Sequence, residues 1–128
     1  MIKKRGVNLK KRQSRIHGQG IFADQLIHSG DSFYQVPLTS VFAYPKSGCA
    51  RIAEGKYVND AQVLNFVNHS CNPTAKLDLT NDPILVAVTD IAQGVEITVD
   101  YNETEIDGKM CPCSCGSKKC RGYFVREI

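Results

Sequence analysis

The sequence predicts a single, mostly β domain built from short strands. Three observations carry this. Short apolar runs recur along the chain, and Gly, Pro, Asn or Asp punctuates them. Only one segment shows helical spacing. The length of 128 residues suits one domain, and 42% hydrophobic with 23% charged residues is ordinary for a folded chain. A chain of this size buries about two-thirds of its unfolded surface, enough for a core without outside help.

The elements follow in order. Residues 1–9 read as a basic arm. Strand-like runs occupy 21–23, 32–36, 41–43, 75–79, 84–88 and 96–99. Ala75-Lys-Leu-Asp-Leu79 alternates apolar and polar, as a half-buried strand does. Asn81-Asp-Pro83 is a turn, so 75–88 reads as a hairpin. The one helical candidate is 60–67, where Val63, Leu64 and Val67 share a face and Asp60 or Asn59 can cap. The expected organisation is an arm over 1–9, a body over 10–106, a cysteine-rich segment over 107–124 and a short end over 125–128. The cysteine-rich segment has too few apolar residues for its own core, so it must lean on the body or on a metal.

The formal net charge of +3 hides an asymmetry. Lys3, Lys4, Arg5, Lys10, Lys11, Arg12 and Arg15 place +7 in the first fifteen residues. From Ile16 onward there are nine basic and thirteen acidic side chains, a net −4. Composition therefore argues against a nucleic-acid-binding body. The arm is either a solvated tail or a contact for an acidic partner. No stretch approaches the roughly 20 apolar residues that span a bilayer, and no apolar segment follows the basic start as in a secretory signal. The expectation is an intracellular protein, cytoplasmic or nuclear, with no membrane contact.

Of the six cysteines, Cys49 and Cys71 stand apart, while Cys111, Cys113, Cys115 and Cys120 crowd together. Disulfides need an oxidising compartment that no signal supports, and Cys-x-Cys neighbours on an extended chain point apart. Zinc fits better, because four soft thiolates complete a tetrahedral structural site. Cys113-Ser-Cys115-Gly116-Ser-Lys-Lys-Cys120 supplies a turn and three convergent thiolates. Cys111, Cys113 and Cys115 in strict alternation do not readily face one ion, which favours Cys71 as the fourth ligand.

Three further motifs are weak alone. His17-Gly18-Gln19-Gly20 opens a strand, and its alternate glycines permit positive φ or a close backbone approach. It lacks the strand–helix context of a dinucleotide fingerprint, so a plain turn is the simpler reading. Asn68-His69-Ser70-Cys71-Asn72-Pro73 ends an apolar run in polar side chains that can cap a turn. It is no Cys–His protease motif, since no oxyanion element accompanies it. Glu96-Ile-Thr-Val-Asp100-Tyr101 is a strand ending in tyrosine, which by itself suggests a core residue with a satisfied hydroxyl.

In this order, followed by Cys113-x-Cys115-Gly116-x-x-x-Cys120-Arg121-Gly122, the motifs resemble the SET-domain protein lysine methyltransferases with a cysteine-rich post-SET segment. The resemblance runs from about Lys10 to Phe124. It implies small curved sheets with a C-terminal pseudoknot that sets Asn68–Cys71 beside Asp100–Tyr101. It implies S-adenosylmethionine as cofactor, with His17, Gly18, Gln19 and Gly20 along the methionine moiety and Asn68 and His69 in contact. Tyr57, in Tyr57-Val-Asn-Asp60-Ala61, matches a stretch bordering the cofactor, and Phe124 stands where an apolar residue meets the adenine. Tyr101 matches the catalytic tyrosine. Cys71, Cys113, Cys115 and Cys120 match one structural zinc site. The implied reaction moves a methyl group to the ε-amine of a lysine in a histone-like or other basic tail, and the −4 body suits such a substrate.

Some positions depart from the family pattern. Thr74 stands for a usual Asn, Asn65 for a usual Arg, and Val99 for a usual aromatic, which leaves the degree of methylation open. The stretch at about 44–62 is short, so the peptide groove is open or completed by a second copy in a homodimer. Two other classes compete with the enzyme: a SET-like module that only binds peptides or a partner, and a zinc-stabilised nucleic-acid binder using the arm. The presence of Tyr101 opposes the first and the acidic body opposes the second.

Overall fold

A strand of two to five residues cannot bury a face alone, so the short runs of this chain pair into several small sheets rather than one large one. The computed structural model describes residues 8–38, 41–43, 50–53, 55–101, 109–113, 115, 117, 118 and 120–126. Along them run β1 (Leu9–Gln13), β2 (Gln19–Ala23), β3 (Ser32–Gln35), β4 (Val41–Phe42), β5 (Ala50–Ala53) and β6 (Lys56–Val58). They are followed by β7 (Asn68–His69), β8 (Ala75–Asp78), β9 (Ile84–Ala87), β10 (Glu96–Val99), β11 (Lys109–Pro112) and β12 (Tyr123–Arg126). The sheet orders are β1-β2-β10-β7, β3-β9-β8, β4-β6-β5 and the hairpin β11-β12. The mostly β expectation holds, and so does the hairpin at 75–88, with Leu77 opposite Leu85.

The core lies where the sheets turn their apolar faces together. Ile21, Ile27, Val58, Leu85, Ile91 and Ile97 are almost wholly buried there. Part of the basic N-terminal run is an edge strand, since Lys10–Arg12 lie in β1 opposite Gly20–Phe22. Lys11 Nζ sits 3.9 Å from the Phe66 ring centroid, a cation–π contact, and Lys10 lies 3.7 Å from Asp24. The arm up to Val7 falls outside the described residues, as does Cys49.

The helical segment at 60–67 forms a turn and only one 3-10 turn, Leu64–Phe66. The physical reason is competition from both ends. Val67 is extended (ψ 114°) because the next two residues enter β7. At the start, the buried Asp60 carboxylate accepts N–H bonds from Leu64 (2.9 Å) and Gln62 (3.2 Å) and the Tyr34 hydroxyl (2.6 Å). Of the two capping candidates, Asp60 is the one that accepts these bonds.

The Tyr34–Asp60 contact has a pH consequence. Burial, then the hydrogen bond to Asp60 and its charge, push the Tyr34 phenol well above its usual 10. The folded state therefore holds this proton more tightly than the unfolded chain. The contribution is fully present below pH ~10 and is lost as pH rises above it toward the folded value. Unfolding midpoints measured between pH 9 and 11 should fall with pH, and Tyr34→Phe should flatten that fall.

Candidate active site and thiolate cluster

The site is assembled by one parallel pairing. β7 lies alongside β10, with Asn68 opposite Thr98 and His69 opposite Val99. This sets two segments 32 residues apart side by side, so that the Tyr101 N–H donates to His69 Nδ1 at 3.0 Å. The Tyr101 hydroxyl donates to the Val67 carbonyl at 2.7 Å, and the two rings lie 5.4 Å apart at 60°. Thr74 closes the same corner: the Thr74 and Thr98 hydroxyls each accept the other's backbone N–H, and the Thr74 hydroxyl donates to the Glu96 carbonyl. Thr74 thus stands in place of the usual Asn with its own reciprocal bonds.

Asn68 reaches from β7 to the loop before β2. Its amide nitrogen donates to the carbonyls of His17 (3.1 Å) and Gln19 (3.3 Å) and to Glu96 Oε2 (2.9 Å). Glu96 in turn accepts the Ser14 hydroxyl, and Ser14 Oγ accepts the N–H of Ile16. The two loop glycines serve different ends. Gly18 has φ +44°, a conformation that L side chains rarely adopt. At Gly20 the constraint is space: a Cβ there would run into the Glu96 carboxyl, with Cδ only 2.9 Å away, so that side chain would have to shift.

The sulfurs of Cys71, Cys113, Cys115 and Cys120 all lie within 4.8 Å of one another. A tetrahedron with metal–sulfur bonds of about 2.3 Å has edges of about 3.8 Å, and Cys71 and Cys113 are 3.9 Å apart. Four soft donors at this spacing fit a zinc-like ion and can hold it. Burial, above hydrogen bonds within the cluster, pushes the Cys113 thiol up to about 12. Burial also opposes ionisation of Cys115, yet bonds from the Cys71 and Ser117 backbone and the Cys113 and Cys120 thiols bring it down to about 6.

The tail is clasped to the body beside this cluster. Arg121 donates to Asp100 at 2.8 Å, and the carboxylate holds the guanidinium charged. The Arg121 N–H points at Cys71 Sγ at 3.3 Å, and the Cys113 N–H donates to the Gly122 carbonyl. His69 Nε2 lies 3.4 Å from Cys71 Sγ, and burial lowers the His69 pKa, opposed by the Asp100 carboxylate and aided by the Arg121 guanidinium.

The structure therefore brings His17–Gly20, Asn68, His69, Tyr101 and the four cysteines into one connected region. Tyr57 lies instead in β6, opposite Phe42 and Arg51, and no hydrogen bond among the described residues ties it to that region. Phe124 lies in β12 opposite Cys111. Sequence reasoning missed Glu96 and Ser14 as supports of the loop, and Arg121–Asp100 as a clasp. One signal was available for Glu96, a carboxylate opening a strand whose next three residues are apolar or small.

A short-stranded β body, a glycine loop pinned by a buried asparagine, a tyrosine beside it and a thiolate-clasped tail together define a distinct protein class. The SET domain family model matches residues 18–102, more than half of the chain, and the chain belongs to that family. A relative from Aspergillus fumigatus, named histone-lysine N-methyltransferase, H3 lysine-4 specific, is 29% identical over 96% of this chain. The trithorax histone-lysine N-methyltransferase of Drosophila virilis is 31% identical over 88% of it. The chain spans only 12% of the first relative's length and 3% of the second's. Among solved structures, KRYPTONITE in complex with mCHH DNA, H3(1-15) peptide and SAH has a TM-score of 0.72 at 20% identity, covering 91% of this chain and 29% of that one. The methyltransferase domain of human SETMAR gives 0.70 at 17% identity, covering 94% and 59%. These confirm the expected fold.

Proposed function

We propose that this chain is an S-adenosylmethionine-dependent protein-lysine N-methyltransferase acting on a histone-like tail. The observation that carries the reading is the parallel β7–β10 pairing, which sets Asn68 and its glycine loop beside Tyr101. Bound S-adenosylmethionine supplies a methyl group on a sulfonium that an amine can attack in line. The chain's task is then to bind, orient and exclude water. The His17–Gly20 backbone is the candidate seat for the methionine moiety, supported by Asn68, which holds two of its carbonyls in place. Tyr57 and Phe124 remain assigned to the cofactor's border by family resemblance.

Tyr101 aligns the lysine. Its proton is committed to the Val67 carbonyl, so its oxygen offers lone pairs to an amine N–H. The amine must be neutral to attack, and a neighbouring sulfonium with partial desolvation lowers its pKa from about 10.4. Zinc at Cys71, Cys113, Cys115 and Cys120 plays a structural part, tying the coreless tail to the body. The substrate peptide adds as a strand at a sheet edge. The relatives' names and the H3 peptide bound to one structural neighbour favour a histone tail, and with it a nuclear role on chromatin. Among the described residues no helix is long and apolar enough to cross a membrane.

Calorimetric titration with S-adenosylmethionine, followed by mass spectrometry of histone H3 peptides, tests the reading. Saturable binding and a gain of methyl mass on lysine are expected, and absence of cofactor binding overturns it. Gly20→Ala is expected to weaken cofactor binding tenfold or more, since Glu96 must move and release Ser14 and Asn68. The same titration on the variant reads this out.

A further inference from the structure

The imidazole of His69 stands between the thiolate cluster and the catalytic tyrosine. Its Nδ1 accepts the backbone N–H of Tyr101 at 3.0 Å. A ring nitrogen that accepts carries no proton, so in the neutral ring the proton is on Nε2. That nitrogen is 3.4 Å from Cys71 Sγ, within range of an N–H···S bond. The side chain is nearly sealed from solvent, at 2% exposure, with these partners at its two ring nitrogens. The nearby Asp100 carboxylate lies 3.6 Å from Nδ1 and is engaged by Arg121 at 2.8 Å. Cys71 also receives the Arg121 N–H.

From this geometry we propose that the His69 side chain is a positioning residue, a strut whose Nε2–H supports the Cys71 thiolate of the metal centre while its Nδ1 fixes the backbone of Tyr101. The inference rests on the methyltransferase reading for its second half and on the thiolate cluster alone for its first. Outer hydrogen bonds to metal ligands orient them and stabilise their charge, and their loss typically costs ten- to a hundredfold in metal affinity. Cys71 is the one ligand contributed by the body, and it lies two residues after His69, so the strut also joins tail docking to the site of chemistry.

Two substitutions separate the halves. Asparagine places an acceptor near Nδ1 but has nothing at Nε2, whereas glutamine places a donor near Nε2 but has nothing at Nδ1. Zinc release from the purified, zinc-loaded protein is followed with a chromogenic chelator, and kcat and KM are measured at saturating cofactor. His69→Asn is expected to release zinc at least tenfold faster than His69→Gln. His69→Gln is expected to show the lower kcat of the two by about tenfold, with the peptide KM values of the two within threefold. Equal zinc release from both variants overturns the first half, and equal kcat overturns the second. Because the zinc readout needs no turnover, a wild type without methyl transfer sinks the function reading while leaving the strut testable. Nitrogen-15 NMR of the wild-type His69 ring supplies a check that no variant's folding can confound. The Nε2–H tautomer is expected near neutral pH, and the Nδ1–H tautomer overturns the proposal.

Discussion

Tyr101→Phe is expected to lower kcat by about 100-fold or more while cofactor affinity stays within about threefold. The hydroxyl is held by the Val67 carbonyl at 2.7 Å, so its oxygen is fixed before any substrate arrives. Preorganised polar groups aimed at a reacting centre contribute rate factors of about 10²–10³ when removed singly. The backbone of residue 101 is anchored separately, by His69, so the ring should keep its place in the variant. The stability cost should then be about 1 kcal/mol, the worth of one hydrogen bond. Single-turnover kinetics with a histone peptide, beside a denaturant unfolding curve, separate the two effects. Turnover equal to wild type would mean that Tyr101 is no more than a packed ring and does not align the lysine.

Cys71→Ser should have the second large effect, and by a different route. It removes the body's only ligand from a cluster whose other three sulfurs all belong to the tail. A hydroxyl is a hard and weakly acidic donor, so a tetrahedral zinc site with three thiolates and a serine is far weaker. The variant should retain well under one zinc per chain by elemental analysis. The hairpin β11–β12 should become sensitive to proteolysis, and methyl transfer should fall at least 100-fold. Chelation of the wild type should reproduce all three. Cys111→Ser is the control, because the four clustered thiolates already complete a tetrahedron, and zinc should stay at one per chain. Equal zinc loss from both variants would move the site.

Much of this was legible one motif at a time. The alternation in 75–79 and the Asn-Asp-Pro turn specify a hairpin locally, and β8 pairs with β9 as expected. The thiolate spacing in Cys113–Cys120 reads directly as chemistry, because ligands close in sequence are close in space. The segment at 60–67 misled for an equally local reason. Its apolar spacing suits a helix, but only the fold reveals that Val67 must extend into a parallel strand beside β10. The run Lys10–Arg12 shows the limit differently: its charged side chains are exposed, as their chemistry suggests, and only the fold reveals that its backbone pairs with β2 along an edge.

By itself, then, the sequence determined the residue types: which side chains can bind a metal, which glycines can bend a loop, and which runs can be strands. Those are properties of short windows, governed by side-chain chemistry and period-two patterning. The tertiary structure alone decided which distant windows meet. It set Glu96 under Gly20, gave Asn68 its two loop carbonyls, and turned His69 between Tyr101 and Cys71. Such meetings arise from long-range strand pairing and core burial, in which each segment's position is set by all the others. No local pattern records that the amide of Tyr101 and the sulfur of Cys71 share one imidazole.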